Sequence, residues 1–335
     1  MGIDALSDVL KAVRLTGAIF FDVDAFAPWA ATAPRSRVLV PMIMPGVDHI
    51  IEYHVIAEGS CFASIAGEKP VRLEAGTVVV LPHGDAHVLS NPEGQRAVFD
   101  PEVFVRARHE TVQLPLNVVE EGRGAHTHIV CGFLGCDTRP FNPLLAALPR
   151  LLLVREAMDS PESRIGQFVR LAMTEAKDKR PGGESVLARL CELMFVEVVR
   201  RHLEAIADDE RSWLAGLRDR HVGDALSLMH ARPTYAWTLE ELAREVGLSR
   251  SVLTERFGHF VGMPPMQYLA RWRMQIAARL LADSDVNIAT VAEEVGYASE
   301  ASFSRAFKKL VGAPPAAWRR TRSAEPARPS AARLG

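Results

Sequence analysis

Two textures of apolar and polar positions divide the chain. Up to about residue 140 the apolar runs are short, as in Val38–Val40, Val78–Leu81 and Ile129–Phe133, and Gly, Pro, Asn and Asp break them. That pattern predicts strands joined by turns. From Asn142 onward apolar residues recur at helical spacing, in LLAALPRLLLVREAM, IGQFVRLAMTEAKDKR and SVLARLCELMFVEVVRRHLEAI. The last segment carries a broad stripe of Val186, Leu190, Leu193, Met194 and Val198 with Glu197. Such a stripe packs on its own domain or, in a second reading, on another subunit. From Asp219 to about Arg320 the pattern is helical throughout. The tail 322–335, rich in Pro, Ala, Arg and Ser, is expected to be disordered.

A chain of 335 residues is long for one core, so two domains are expected. No apolar run approaches the roughly 18–20 residues that span a bilayer. The first residues, MGIDALSDVLKAV, lack a basic region followed by an apolar stretch, so no secretory signal is read there. Cys61, Cys131, Cys136 and Cys191 follow no regular spacing, which fits a reducing cytoplasm. The net charge of −2 hides a split: residues 232–335 hold 15 Lys+Arg against 10 Asp+Glu, a net +5, which leaves −7 for the rest. A basic C-terminal third joined to an acidic remainder points to a nucleic-acid-binding module beside another domain.

The basic third contains a repeat offset by about 50 residues. Ala243, Val246 and Gly247 match Ala292, Val295 and Gly296; Phe257 and Gly262 match Phe307 and Gly312; Pro264-Pro265 matches Pro314-Pro315, and Tyr268 matches Trp318. Each unit has a short helix with a small Ala where a second helix crosses, then a glycine for the turn. Ser249 and Ser299 stand as N-caps of the second helices, and Thr238 with Glu241 forms a capping box. A helix from about Met266 to Ala282 joins the units. These features predict tandem helix-turn-helix motifs.

On those residues, region 218–321 resembles the DNA-binding domain of the AraC/XylS family. The resemblance implies that the second helix of each unit enters the major groove, in two segments about 34 Å apart on one face of DNA. By position, Arg250, Ser251, Thr254 and Glu255 would be presented by the first recognition helix, and Glu300, Ala301, Ser304 and Arg305 by the second. Arg305 suits a guanine edge and Glu255 a cytosine amino group. Lys308, Lys309, Arg319 and Arg320 suit phosphates, while Arg256 and Arg273 are expected to brace the fold.

In the first half, GTVVVLPHGDAHVLSN places Gly76, Pro82, Gly84, His87 and Asn91 at every fixed position of the second cupin motif. The first motif is degraded: Gly46 is followed by Glu52, Tyr53, His54 and Glu58, with Glu52 at a histidine position. The segment from about Ala5 to Leu152, with RLTGAIFF, APW, VCGF and NPLLAALP, resembles the cupin-like sensor found ahead of AraC-type DNA-binding domains. The resemblance implies a small antiparallel β-barrel that holds a ligand or a metal. His54 and His87 with Glu52 or Glu58 would suit Fe, Mn, Ni or Zn; His54, His87 and Cys131 would suit Zn; relic histidines satisfied by hydrogen bonds, in a barrel that binds an organic effector or nothing, are the third option. His83, His126 and His128 are read as loop histidines.

The expected architecture is therefore α+β with two domains. A cupin-like barrel (1–152), a helical linker and dimerisation region (153–217) and an all-α tandem helix-turn-helix domain (218–321) precede the tail (322–335). The expected function is a cytoplasmic, dimeric, effector-responsive transcription regulator and activator, with promoter DNA, a small-molecule effector and RNA polymerase as partners and no membrane. The alternatives are a metal-dependent cupin enzyme fused to a DNA-binding domain, and an architectural DNA-binding protein without an effector. No phosphate loop or nucleophile elbow is present.

Overall fold

Strand β3 (His49–Glu58) is buried along nearly its whole length, because both of its faces are covered. Glu52, His54 and Ile56 face inward, while Tyr53 faces outward, its hydroxyl 2.7 Å from Cys191 Sγ. The computed structural model describes residues 4–102, 116–120, 122–156, 160–178, 180–207 and 210–323. Residues 324–335, most of the tail expected to be disordered, lie outside the described residues. Contacts divide the chain into two units. One joins Leu15–Cys136 to Leu148–Ala205; the other joins Met1–Arg14, Asp137–Ala147 and Ile206–Gly335.

The first unit is a β-structure of two sheets. Its other strands are β1 (Thr16–Phe26), β2 (Trp29–Ala33), β4 (Ser60–Ile65), β5 (Val71–Glu74), β6 (Thr77–Leu81), β7 (His87–Asn91), β8 (Leu116–Glu120), β9 (His126–Cys136) and β10 (Leu152–Arg155). The orders are β10-β6-β3-β9-β1-β8 and β2-β7-β4-β5. The pairings are antiparallel apart from the parallel β1–β8 pair. Register sets Glu52 beside Leu81 and Phe133, and His54 beside Val79 and Cys131. Ile56, Val79 and Ile129 of one sheet pack against Trp29, Ile65 and Leu89 of the other.

Two short apolar runs depart from expectation. Val38–Val40, read as strand, lies in helix α2 (Ser36–Ile43), where Ser36, Leu39 and Ile43 are the buried face. Leu152–Arg155, read within a helical segment, is strand β10 on β6. Runs of three or four residues are too short for either period to show, so tertiary pairing decides them. The helices that follow, α4 (Arg164–Asp178) and α5 (Gly183–Ala205), agree with the pattern. In the α5 stripe Leu190, Met194 and Val198 are buried within the unit, whereas Val186 and Leu193 are 39% and 48% exposed.

The second unit begins with a helix absent from the strand-rich reading, α1 (Ala5–Ala12), N-capped by Asp4 on the amides of Leu6 and Ser7. Helix α3 (Pro143–Ala147) follows β9. The rest comprises α6 (Trp213–Arg218), α7 (Arg220–Ala231), α8 (Leu239–Glu245), α9 (Arg250–Val261), α10 (Pro265–Asp283), α11 (Ile288–Glu294), α12 (Glu300–Val311) and α13 (Pro315–Ser323). The repeat is realised physically. Thr238 and Glu241 form the capping box, and Ser249 and Ser299 cap α9 and α12. Gly247 and Gly296 turn with φ of +71° and +78°, a region that side chains other than glycine's disfavour. Phe257 meets Tyr268 edge-on at 5.7 Å, as Phe307 meets Trp318 at 6.1 Å.

Two sets of contacts hold the second unit together on α10. Arg273 on α10 donates to the carbonyls of Pro233 (2.6 Å) and Tyr235 (2.8 Å). The same loop meets the second half at Gly296, where an added Cβ would lie 2.7 Å from the Thr234 carbonyl oxygen. On another side of α10 the Gln275 amide, 1% exposed, accepts from the Phe141 amide and donates to the Ala12 carbonyl, both at 3.0 Å. Arg14 bridges Asp137 and Asp283.

Replacing Gln275 by Ala leaves a buried N–H and a buried C=O without partners. Each orphaned group costs about 1–3 kcal/mol. Gln275→Ala is expected to lower stability by at least about 2 kcal/mol in chemical denaturation of the full chain, whereas Gln275→Glu at a pH that protonates it should retain the bond from Phe141.

Candidate functional site

Helices α9 and α12 stand second in their helix-turn-helix units. Their buried residues, Leu253 and Phe257, and Phe303 and Phe307, recur every fourth position and fix the opposite face outward. Arg250, Ser251 and Glu255 are exposed on α9, as are Glu300, Ala301, Arg305, Lys308 and Lys309 on α12. Thr254 and Ser304 are half-buried, and the Thr254 hydroxyl is spent on the Arg250 carbonyl at 2.8 Å. Arg256 forks onto Asp219, and Arg273 onto two carbonyls, so both brace the fold. Arg319 donates to the Val286 carbonyl, while Arg320 is exposed. Val252, 45% exposed on α9, was not singled out from sequence; its signal is an apolar side chain on an otherwise polar face.

Inside the first unit lies a cavity of about 330 Å³. Phe21, Trp29, Leu89, Ile129 and Phe133 form its apolar wall, and Glu52, His54, His87 and Cys131 its polar part. The hydrogen bonds fix the tautomers. His87 Nδ1 donates to the Asp85 carbonyl (3.1 Å), so its Nε2 accepts from His54 Nε2 (2.8 Å). His54 Nδ1 is left to accept the Cys131 thiol proton at 2.9 Å. The chain is neutral from end to end. Burial agrees: it depresses His87 to about 4, depresses His54 with help from the facing His87, and raises Cys131. Glu52 stands outside this chain. Its side chain is 0% exposed, neither oxygen has a hydrogen-bond partner, and burial raises its pKa well above the carboxylate range.

Most of the second cupin motif serves the turn and strand ends. Pro82 offers its carbonyl to His49 Nε2 (2.7 Å), and Asn91 Nδ2 donates to the Ser60 carbonyl (3.0 Å). Of that motif's fixed positions only His87 lines the cavity, beside Leu89 of the same strand.

The chain matches the cupin family over residues 4–204 and the helix-turn-helix domain family over residues 242–321. It is 30% identical to a putative AraC-like transcription regulator of Streptomyces lividans, across 95% of this chain and 98% of the relative. The chain belongs to the AraC family of transcription regulators. This AraC-family regulator is also 31% identical to the HTH-type transcriptional regulator AlkR of Acinetobacter baylyi, over 91% and 95% of the two chains. It is 26% identical to the RCS-specific HTH-type transcriptional activator RclR of Escherichia coli, over 81% and 84%.

Of the metal candidates, the AraC-family fold brings Glu52, His54 and His87 together, with ligand atoms within 4.8 Å of one another. Two imidazoles and a carboxylate suit a divalent ion such as Fe, Mn, Ni or Zn, and the unpartnered Glu52 oxygens fit that use. Cys131 lies on the far edge of the His54 ring from His87, where it would orient that ring. Glu58 is apart, at the end of β3 and 3.8 Å from His126. His126 and His128, expected in loops, are on β9 and pair with Asp24 and Asp22. No helix among the described residues is long and apolar enough to cross a membrane.

An orphaned buried carboxyl costs stability, so it marks a position kept for something other than folding. Glu52→Leu is expected to raise the stability of the first unit by about 1–3 kcal/mol, read as a higher melting temperature of the full chain.

Proposed function

We propose that this regulator binds promoter DNA sequence-specifically through α9 and α12 together, and that a small molecule in the barrel cavity sets how strongly it does so. The observation that carries the DNA reading is the pair of exposed, differently charged recognition faces on two matching units braced to one helix. Arg305 reads a guanine edge, Glu255 a cytosine amino group and Val252 a thymine methyl. Lys308, Lys309 and Arg320 neutralise phosphates. Paired sites favour a homodimer, for which the exposed Val186 and Leu193 of α5 supply an apolar surface. The Escherichia coli relative, a transcriptional activator by name, supports activation, which implies contact with RNA polymerase. A ligand acts only by binding two states of the protein unequally.

On DNA selected from a random library, Arg305→Ala is expected to weaken binding by about 1–3 kcal/mol and relax the preference at one base pair. Lys308→Ala should weaken all sequences alike and reduce the salt slope by about 1. Wild-type binding in both variants would remove α12 from the interface.

The Glu52, His54 and His87 cluster favours a second reading, a divalent metal as cofactor or signal and, with it, the metal-dependent enzyme alternative. Plasma mass spectrometry of the purified chain beside a His54→Ala/His87→Ala variant decides it. Under the small-molecule reading the wild type carries no stoichiometric metal; one ion per chain, lost in the variant, would establish the metal site.

A further inference from the structure

We infer that the cavity's occupant is a compact, mostly apolar, uncharged alcohol or phenol, seated with its hydroxyl on Glu52; this rests on the small-molecule reading above rather than on the metal reading. The cavity leaves hydrogen-bonding capacity unmet. Along Cys131, His54, His87 and the Asp85 carbonyl, the imidazole nitrogens and the thiol proton are each used once. Two side chains lining the cavity keep buried polar atoms with no partner: the Glu52 carboxyl oxygens and Trp29 Nε1. Other buried polar atoms, such as Ser90 Oγ and Trp272 Nε1, also stand without a partner, but those of Glu52 and Trp29 belong to side chains that line the cavity, and there they describe the complement of a ligand. Glu52 presents an acceptor oxygen whether ionised or not, and so asks for a donor; kept protonated by burial, it also offers an O–H. The indole N–H asks for an acceptor. A hydroxyl is the smallest neutral group that provides both.

The remaining surface sets the rest of the molecule. Phe21 and Phe133 meet edge-on at 5.8 Å and, with Leu89 and Ile129, offer apolar contact. A volume of about 330 Å³ suits a small occupant. Among the described lining residues there is no Lys or Arg, and the second acidic side chain is Asp100. A carboxylate or phosphate ligand would face carboxyl groups without a counter-charge.

The test uses three probes on one scaffold: 2-phenylethanol, ethylbenzene and phenylacetate, titrated calorimetrically into the full chain and its Glu52→Leu variant. The alcohol should bind the wild type best and lose about tenfold or more in the variant, a factor that corresponds to one lost hydrogen bond. Ethylbenzene should bind both proteins alike, which also reports that the variant's cavity is intact. The inference is overturned if phenylacetate binds as well as the alcohol, if Glu52→Leu leaves the alcohol's affinity unchanged, or if no probe binds saturably. One stoichiometric metal ion that the alcohol cannot displace would overturn it as well. Binding of the alcohol on Glu52 with no change in DNA affinity would uphold the ligand assignment and sink the effector reading.

Discussion

The second unit depends on covering one helix. α10 buries Tyr268, Leu269, Trp272, Met274, Gln275, Ala277, Ala278 and Leu281, residues that point to nearly every side of its axis. A helix buried on so many sides is stable only inside a core. The two helix-turn-helix halves cover part of it. The remaining side is closed by α1 and residues 137–147, with the Gln275 amide reading a backbone group from each. A buried amide with both ends satisfied makes the fit specific as well as stable, because no shifted packing keeps both bonds. The chain therefore passes four times between the units, at residues 14/15, 136/137, 147/148 and 205/206.

That arrangement explains what could be read from sequence. The tandem motif was legible because its signals are local: a glycine four residues past an alanine, a serine cap, and a phenylalanine two helical turns on. Helices α9 and α12 begin at the predicted caps. α1 was not legible, since its partners lie far along the chain and eight residues show little periodicity. α2 and β10 failed for the same reason, as runs of a few apolar residues take whichever form their neighbours impose.

The candidate site divides similarly. His54 and His87 were found by motif, and strand register then placed them face to face. Glu52 was noticed as a departure from the motif, but its isolation is a fact of three dimensions. Trp29, Phe21 and Phe133 stand at the ends of the matched phrases APW, RLTGAIFF and VCGF, but their place in the cavity was not legible, because alternation along a strand says which residues share a face and not which cavity that face meets. The barrel interior combines a fully satisfied polar chain with two orphans. An orphan on a side chain that lines a cavity is one that a ligand can satisfy, so the contrast separates scaffold from site.

The brace formed by Arg273, the 233–237 loop and Gly296 has a metrical consequence. With α8–α9 and α11–α12 tied to one helix and to each other, α9 and α12 form a calliper with a fixed gap. Each base pair inserted between two contacted segments moves one of them about 3.4 Å along the duplex and turns it by about a tenth of a revolution. A hinged pair of helices would follow such a shift; a calliper does not. Under the proposed reading, with both helices in the groove, the molecule would measure length and phase on DNA as well as base sequence, and information would be stored in the spacing that no single side chain reads.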